Sequence, residues 1–233
     1  MRRFSMVVLA ALTSVASGQD PGAPTTAKSS ALIDLTGYWV AIVSEDWRFR
    51  MITPHKGDYQ GVPMNAEARK VADAWDPASD EASGNQCKAY GAAAIMRMPA
   101  RFHITWQEDN TLRVESDAGM QTRLFHFNTR SSPAAERTWQ GYSTAQWERP
   151  ASLKVATANM RAGYLRTNGV PYSENASVTE YFDLAPLPGG GQALLVTTIV
   201  DDPQYLMQPF IVSSQFKKEA DGSKWDPTPC TAK

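Results

Sequence analysis

The stretch RFHITWQEDNTLRVESDAGMQTRLFHF, residues 101–127, decides how this chain reads. Within it Arg101–Gln107, Thr111–Ser116 and Met120–Phe127 alternate apolar with polar side chains. A period of two sets Phe102, Ile104 and Trp106 on one face of a strand and His103 on the other. By the same rule Arg123, Phe125 and Phe127 share a face, with Leu124 and His126 opposite them. Glu108, Asp109 and Asn110 break the first pair of runs, and Asp117, Ala118 and Gly119 the second. Asn, Asp and Gly tolerate the positive φ of tight hairpins, so the stretch predicts antiparallel strands joined by short turns.

The pattern continues outward. Gly37–Ser44 and Trp47–Thr53 precede the stretch, and Trp139–Glu148, Ser152–Met160, Val178–Asp183, Ala193–Asp201 and Phe210–Lys218 follow it. The loop Pro186–Gly191 suits a hairpin connection, and 220–223 ends the last run. One segment is helical instead. Asn65 is placed to cap it, Glu67 sits in its first turn, and Ala68, Val71, Ala72 and Trp75 recur at helical spacing before Asp76 and Pro77 stop it. A second short helix fits near 83–93. A meander this long with few edge-protecting devices favours closure. The expectation is an all-β, mainly antiparallel fold: a closed or nearly closed barrel of about 8–10 strands with a helical insertion after strand two. A two-sheet sandwich is the alternative.

The start of the chain reads as an address. Arg2 and Arg3 precede the apolar run Met6–Leu12, and small residues including Ala16 and Gly18 precede Gln19. This is the anatomy of a secretory signal peptide over residues 1–18, and the apolar run is too short to span a bilayer. Residues 19–31 are small, polar and Pro/Gly-containing, which suits a flexible leader. The single folded domain is then expected over 32–233, outside the cytoplasm, in the periplasm or secreted. No integral membrane segment is expected. Only two cysteines are present, Cys87 and Cys230. In an oxidising compartment they have one intramolecular pairing, which in the chain-entropy picture contributes on the order of 4–5 kcal/mol for so long a loop. Without Arg2 and Arg3 the cations fall from 23 to 21 against 24 acids, a net charge of −3. With no basic cluster along the chain, neither nucleic acid nor an anionic membrane is an expected partner.

The segment DLTGYWV, residues 34–40, resembles the Gly-x-Trp signature that opens the first barrel strand of lipocalins and other calycins, carried here by Gly37 and Trp39. The resemblance implies a lipocalin-like barrel in which the Trp closes one end, commonly against an Arg late in the chain. No Arg follows Arg166 here, so Lys217 and Lys218 are the residues that would take that place. The chain as a whole also resembles a family of exported bacterial proteins without an assigned activity, on EDWRFRM (45–51), GYLRTNGVPYSEN (163–175) and DPQYLMQPF (202–210). That likeness implies export and brings no activity with it.

The residues that could carry chemistry are dispersed. In 46–51, Trp47, Phe49 and Met51 alternate with Asp46, Arg48 and Arg50, so a strand there would present two guanidiniums on one face, suited to a carboxylate or phosphate. The segment 161–176 is long for a hairpin connection and holds Tyr164, Arg166, Tyr172 and Glu174, a mixture suited to a binding loop or to a loop packed over a barrel end. Seven Trp and eight Tyr, Trp106 among them, exceed what turns need and could line an apolar pocket. His103, His126 and Glu180 are candidate proton-transfer groups. No metal-ligand spacing, nucleophile elbow or Gly-rich phosphate loop is present, so no metal and no cofactor is expected. The leading expectation is an exported binding protein that holds a small, partly apolar molecule in the barrel, with Arg48, Arg50 or the 161–176 loop at its polar end. The alternatives are a cofactor-free isomerase, cyclase or lyase in the same cavity, and a structural or interaction module of the envelope.

Overall fold

A computed structural model describes residues 25–129 and 136–232. The signal-peptide reading over 1–18 lies outside the described residues. The expected leader over 19–31 overlaps a docked turn: Ala27 is buried, its N–H donates to Asn110 Oδ1 at 2.8 Å, and its carbonyl accepts from Trp147 Nε1 at 2.9 Å. The ordered body therefore begins ahead of Leu32.

Nine strands close into a barrel. They are β1 (Gly37–Ile42), β2 (Arg101–Glu108), β3 (Thr111–Ser116), β4 (Gln121–Phe127), β5 (Tyr142–Glu148), β6 (Ser152–Ala158), β9 (Ser177–Pro186), β10 (Gln192–Asp201) and β11 (Phe210–Glu219). The order around the wall is β1-β11-β10-β9-β6-β5-β4-β3-β2. The short strands β7 (Gly163–Tyr164) and β8 (Pro171–Tyr172) form a separate ribbon. The expected hairpins join β2 to β3, β3 to β4 and β9 to β10, and neighbours are antiparallel except β4 and β5. Those two run parallel and pair only over Phe125–Phe127 and Ser143–Ala145. A parallel neighbour cannot be joined by a tight hairpin.

Alternation carries through to the interior. Trp39, Phe102, Ile104, Leu112, Phe125, Leu153, Phe182, Leu194, Val196 and Phe216 point inward and are at most 1 % exposed. Phe102 meets Phe216 edge to face at 5.2 Å, and Phe125 meets Phe182 at 5.4 Å. The centre is therefore occupied by side chains. Trp39 donates its indole N–H to Leu35 O at 2.9 Å, and Lys218 Nζ lies 5.3 Å from its ring centre. One layer along the barrel is polar: Arg123, Ser143, Thr157, Glu180, Thr198 and Ser214 are all buried. Beyond it a second apolar cluster, including Met64, Ala68, Met160, Tyr172, Val178, Val200 and Phe210, caps that end.

The cap comes from two insertions. The longer one lies between Ile42 and Arg101 and holds α1 (Trp47–Arg50), α2 (Ala66–Asp73), α3 (Pro77–Ala82) and two 3-10 turns, Lys88–Tyr90 and Ile95–Arg97. Helix α2 starts as expected, with Asn65 Oδ1 accepting from Ala68 N at 2.9 Å. Asp76 and Pro77 end it and at once begin α3, with Asp76 accepting from the N–H groups of Ala78 and Ser79. Pro at the first helical position costs nothing because its missing N–H has no intrahelical partner there. The expected second strand, Trp47–Thr53, is corrected: it is the helical turn α1 followed by bends. Both edges of β1 are already taken, by β11 and β2. Asp46 adopts a left-handed φ of 51° that turns the chain away from the sheet. The shorter insertion, 159–176, packs down as a loop over the barrel end, its Asn168 Nδ2 donating to the carbonyls of His55 and Asp58 at 3.1 Å each. Cys87 and Cys230 form a disulfide, with Cα atoms 5.1 Å apart, that ties the C-terminal tail to the longer insertion.

Candidate functional site

The cap brings together three arginines that are far apart in sequence. Arg50 comes from α1, Arg97 from the 3-10 turn ahead of β2, and Arg166 from the chain just after β7. They are 8, 6 and 4 % exposed. All three line one small pocket of about 20 Å³, together with Phe49, Leu165 and Thr167. That volume suits a compact group such as a water or a small anion.

What satisfies these guanidiniums is mostly carbonyl oxygen. Arg50 Nε donates to Arg97 O at 2.7 Å, and Arg166 Nη1 to Gln60 O at 2.8 Å. A carbonyl accepts a hydrogen bond but does not neutralise a charge. Among the described residues the one carboxylate at ion-pair distance is that of Asp46, 3.1 Å from Arg97 Nη1 and itself 41 % exposed. The left-handed backbone of Asp46 costs on the order of 1 kcal/mol and delivers that carboxylate. Glu45 Oε1 accepts from Gln215, while Oε2 is buried without a partner. Aromatic faces supply part of the remaining stabilisation: Arg166 lies 4.0 Å from the Phe49 ring centre and Arg97 5.6 Å from that of Phe210.

The electrostatics follow. Burial pushes the Arg50 guanidinium below its ordinary value, and the charge of Arg97 pushes it further, with Glu45 and Asp46 offsetting part. Arg97 is lowered by burial and partly restored by Asp46. Arg166 falls to about 10, through burial first and Arg97 second, with Asp46 and Asp58 offsetting part and Arg48 adding to the fall. All three stay charged at neutral pH. Each also keeps a donor buried without a partner: Arg50 Nη2, Arg97 Nη2 and Arg166 Nε. Concentrated positive charge, spare N–H groups and a compact pocket are what an oxyanion requires.

The other residues singled out from the sequence lie elsewhere. Arg48, next to Arg50, points outward and pairs with Asp58. Trp106 packs on Phe127 inside the barrel at 5.7 Å. Tyr164 donates to Asp80 Oδ2 at 2.7 Å, and burial with that bond raises its pKa. Tyr172 is fully buried in the cap cluster, which also raises its pKa. Glu174 is exposed beside Arg137. His103 stacks on Tyr38 at 4.1 Å and His126 on Tyr142 at 4.7 Å, both on the outer face of the wall. Glu180 is inside, held by both terminal nitrogens of Arg123. The proton-transfer candidates therefore do not converge. Among the described residues no group of three or more His, Cys, Asp or Glu side chains could hold a metal ion.

Sequence reading missed Arg97. Its signal was a lone cation inside the apolar run Ala92–Met98. A charge that a folded chain carries into such a run needs a partner or a purpose.

No family model, no curated protein and no solved structure matches this chain. The arginine pocket is thus read from its own chemistry.

Proposed function

We propose that this is an exported binding protein that holds the anionic end of a small, partly apolar molecule at Arg50, Arg97 and Arg166. The observation that carries the reading is three guanidiniums, each more than nine-tenths buried, lining one pocket with no carboxylate among the described residues of its wall; Asp46 pairs with Arg97 from outside it, and Glu45 and Asp58 act only from further off. Burying like charges together is costly, and a bound anion offsets that cost. The seat of the ligand is the cap end of the barrel rather than its centre, which aromatic side chains fill. Phe49 and Leu165 give the pocket an apolar wall for the remainder of the ligand. Export is supported by the signal-like start at 1–18 and by the Cys87–Cys230 disulfide, which persists in oxidising compartments.

Three guanidiniums around one pocket favour a group with more negative charge and more acceptor oxygens than a carboxylate has. A phosphomonoester or sulfate is therefore favoured over a carboxylate. Titration calorimetry with inorganic phosphate, sulfate and acetate tests this. Phosphate and sulfate are expected to bind the wild-type chain more tightly than acetate, and Arg97→Met to remove the binding. Equal heats for wild type and Arg97→Met would sink the assignment.

A further inference from the structure

The turn that supplies Arg50 to the pocket shows a different face to solvent. Trp47, Met51 and Ile52 are 62, 56 and 65 % exposed, large values for apolar side chains. Trp47 and Met51 lie four residues apart within one helical turn, closed by a bond from Met51 N to Trp47 O at 2.9 Å, so they share a side. Phe49 lies on the opposite side, while Arg50, three residues on from Trp47, adjoins the exposed face, and both line the pocket. Arg48 adds an exposed cation, its side chain 53 % accessible. Ile211, 61 % exposed, follows Phe210, whose ring packs on Arg97. An apolar projection with an indole at its tip thus adjoins a pocket for tetrahedral oxyanions.

We infer that this face docks on a lipid surface, with the phosphomonoester headgroup of an anionic phospholipid in the arginine pocket and Trp47, Met51 and Ile52 in the interfacial layer of the bilayer. The inference rests on the anion reading above and names the source of the anion. Charge complementarity selects the occupant: along the sequence no basic cluster points to an anionic membrane, but the fold assembles such a cluster from Arg50, Arg97 and Arg166. The pocket demands clustered phosphate oxygens, the apolar turn demands hydrocarbon beside them, and a bilayer of anionic lipid offers both within one headgroup depth. Indole side chains partition to that depth because one edge is apolar and the other donates a hydrogen bond. A small apolar projection with a few cations gives reversible binding rather than insertion.

Flotation with phosphatidylcholine vesicles, with and without phosphatidic acid, tests the docking. Wild-type protein should float only with phosphatidic acid present. The triple variant Trp47→Ser/Met51→Ser/Ile52→Ser alters exposed residues alone. It should lose roughly tenfold or more in vesicle affinity while still binding inorganic phosphate. Arg97→Met should lose both. A blue shift of tryptophan emission on vesicle addition, absent in Trp47→Phe, would place the indole in the interface. If wild type binds phosphate but no vesicles, the lipid assignment is overturned and the anion site stands. If it binds neither, the anion site itself falls. The docking face is wrong if the triple variant floats like wild type, or if its only effect is to turn a wild-type dimer into a monomer.

Discussion

Two regions of this molecule bury arginine equally well and use it differently. In the barrel's polar layer, Arg123 donates from both terminal nitrogens to the two carboxylate oxygens of Glu180 and also reaches Thr157 Oγ1 at 3.3 Å, with side chains only 2 and 0 % exposed. Ser143 and Thr157 complete that layer at 2.7 Å. One cation meets one anion, so the charge is balanced even though Arg123 Nε, like one donor on each cap arginine, is buried without a partner. In the cap, Arg50, Arg97 and Arg166 are just as dry but meet carbonyls, ring faces and a single exposed carboxylate. Burial alone therefore says little about purpose. The balance of charge at fixed burial separates a structural arginine from one held ready for a ligand.

The largest effect that would sharpen this contrast is in the barrel. Arg123→Met leaves Glu180 buried without its cation, so stability should fall by about 3–5 kcal/mol in urea unfolding. The double variant Arg123→Met/Glu180→Leu should recover most of that loss. A cost below about 1 kcal/mol for the single change would break the claim that the pair is mutually compensating.

Next in size is the response of the cap to an anion. At phosphate about a hundredfold above its dissociation constant, linkage contributes about 2.7 kcal/mol. For a chain of this length that raises Tm by on the order of 5–10 °C. Chloride at matched ionic strength should not reproduce the shift. A calorimetric scan showing the same Tm in both salts would remove the distinction between the two regions.

Smaller still is the cost of removing a cap arginine without ligand. Arg97→Met or Arg166→Met deletes one of three mutually repelling charges, so stability should change by less than about 1 kcal/mol or rise. A loss comparable with that of Arg123→Met would show the triad to be structural after all.

The smallest effect concerns the barrel's outer face. Burial holds the His126 imidazole below its ordinary pKa, with Glu108 offsetting part. As pH falls through about 6.5 the unfolded chain takes up the proton first, so the folded state loses stability, and the loss levels off below the folded-state pKa. His126→Gln should flatten this part of the profile between about pH 7.5 and pH 5, read from urea midpoints. An unchanged slope would mean His126 is as solvated folded as unfolded.

Much of the barrel was legible because its causes are local. Residues 101–127 alternate at period two, and their turns carry Asn110, Asp117 and Gly119, so β2, β3 and β4 came out within a residue or so of their ends. Asn65 capped α2 for the same kind of reason. Trp47–Thr53 misled because a few alternating residues fit a strand or a turn equally well. Deciding between them depended on whether β1 had a free edge. The candidate site was half visible. Arg50 and Arg166 stand out in the sequence as cations in unusual surroundings, but the alternation puts the former on a strand face, and the latter's loop suits ligand binding and packing over a barrel end equally. Arg97 went unmarked because nothing near it in sequence signals a partner. Arg48, which looked equivalent to Arg50, faces Asp58 and solvent instead.

By itself, then, the amino-acid order determined the class of fold and the positions of most strands, since side-chain alternation and turn chemistry act over a few residues. It also left one pairing for the two cysteines. Only the tertiary structure decided that the barrel centre is filled, that Glu180 is spoken for, and that Arg50, Arg97 and Arg166 share a pocket. Those outcomes depend on packing volume and on charges interacting through space, across separations of 47 residues and more along the chain.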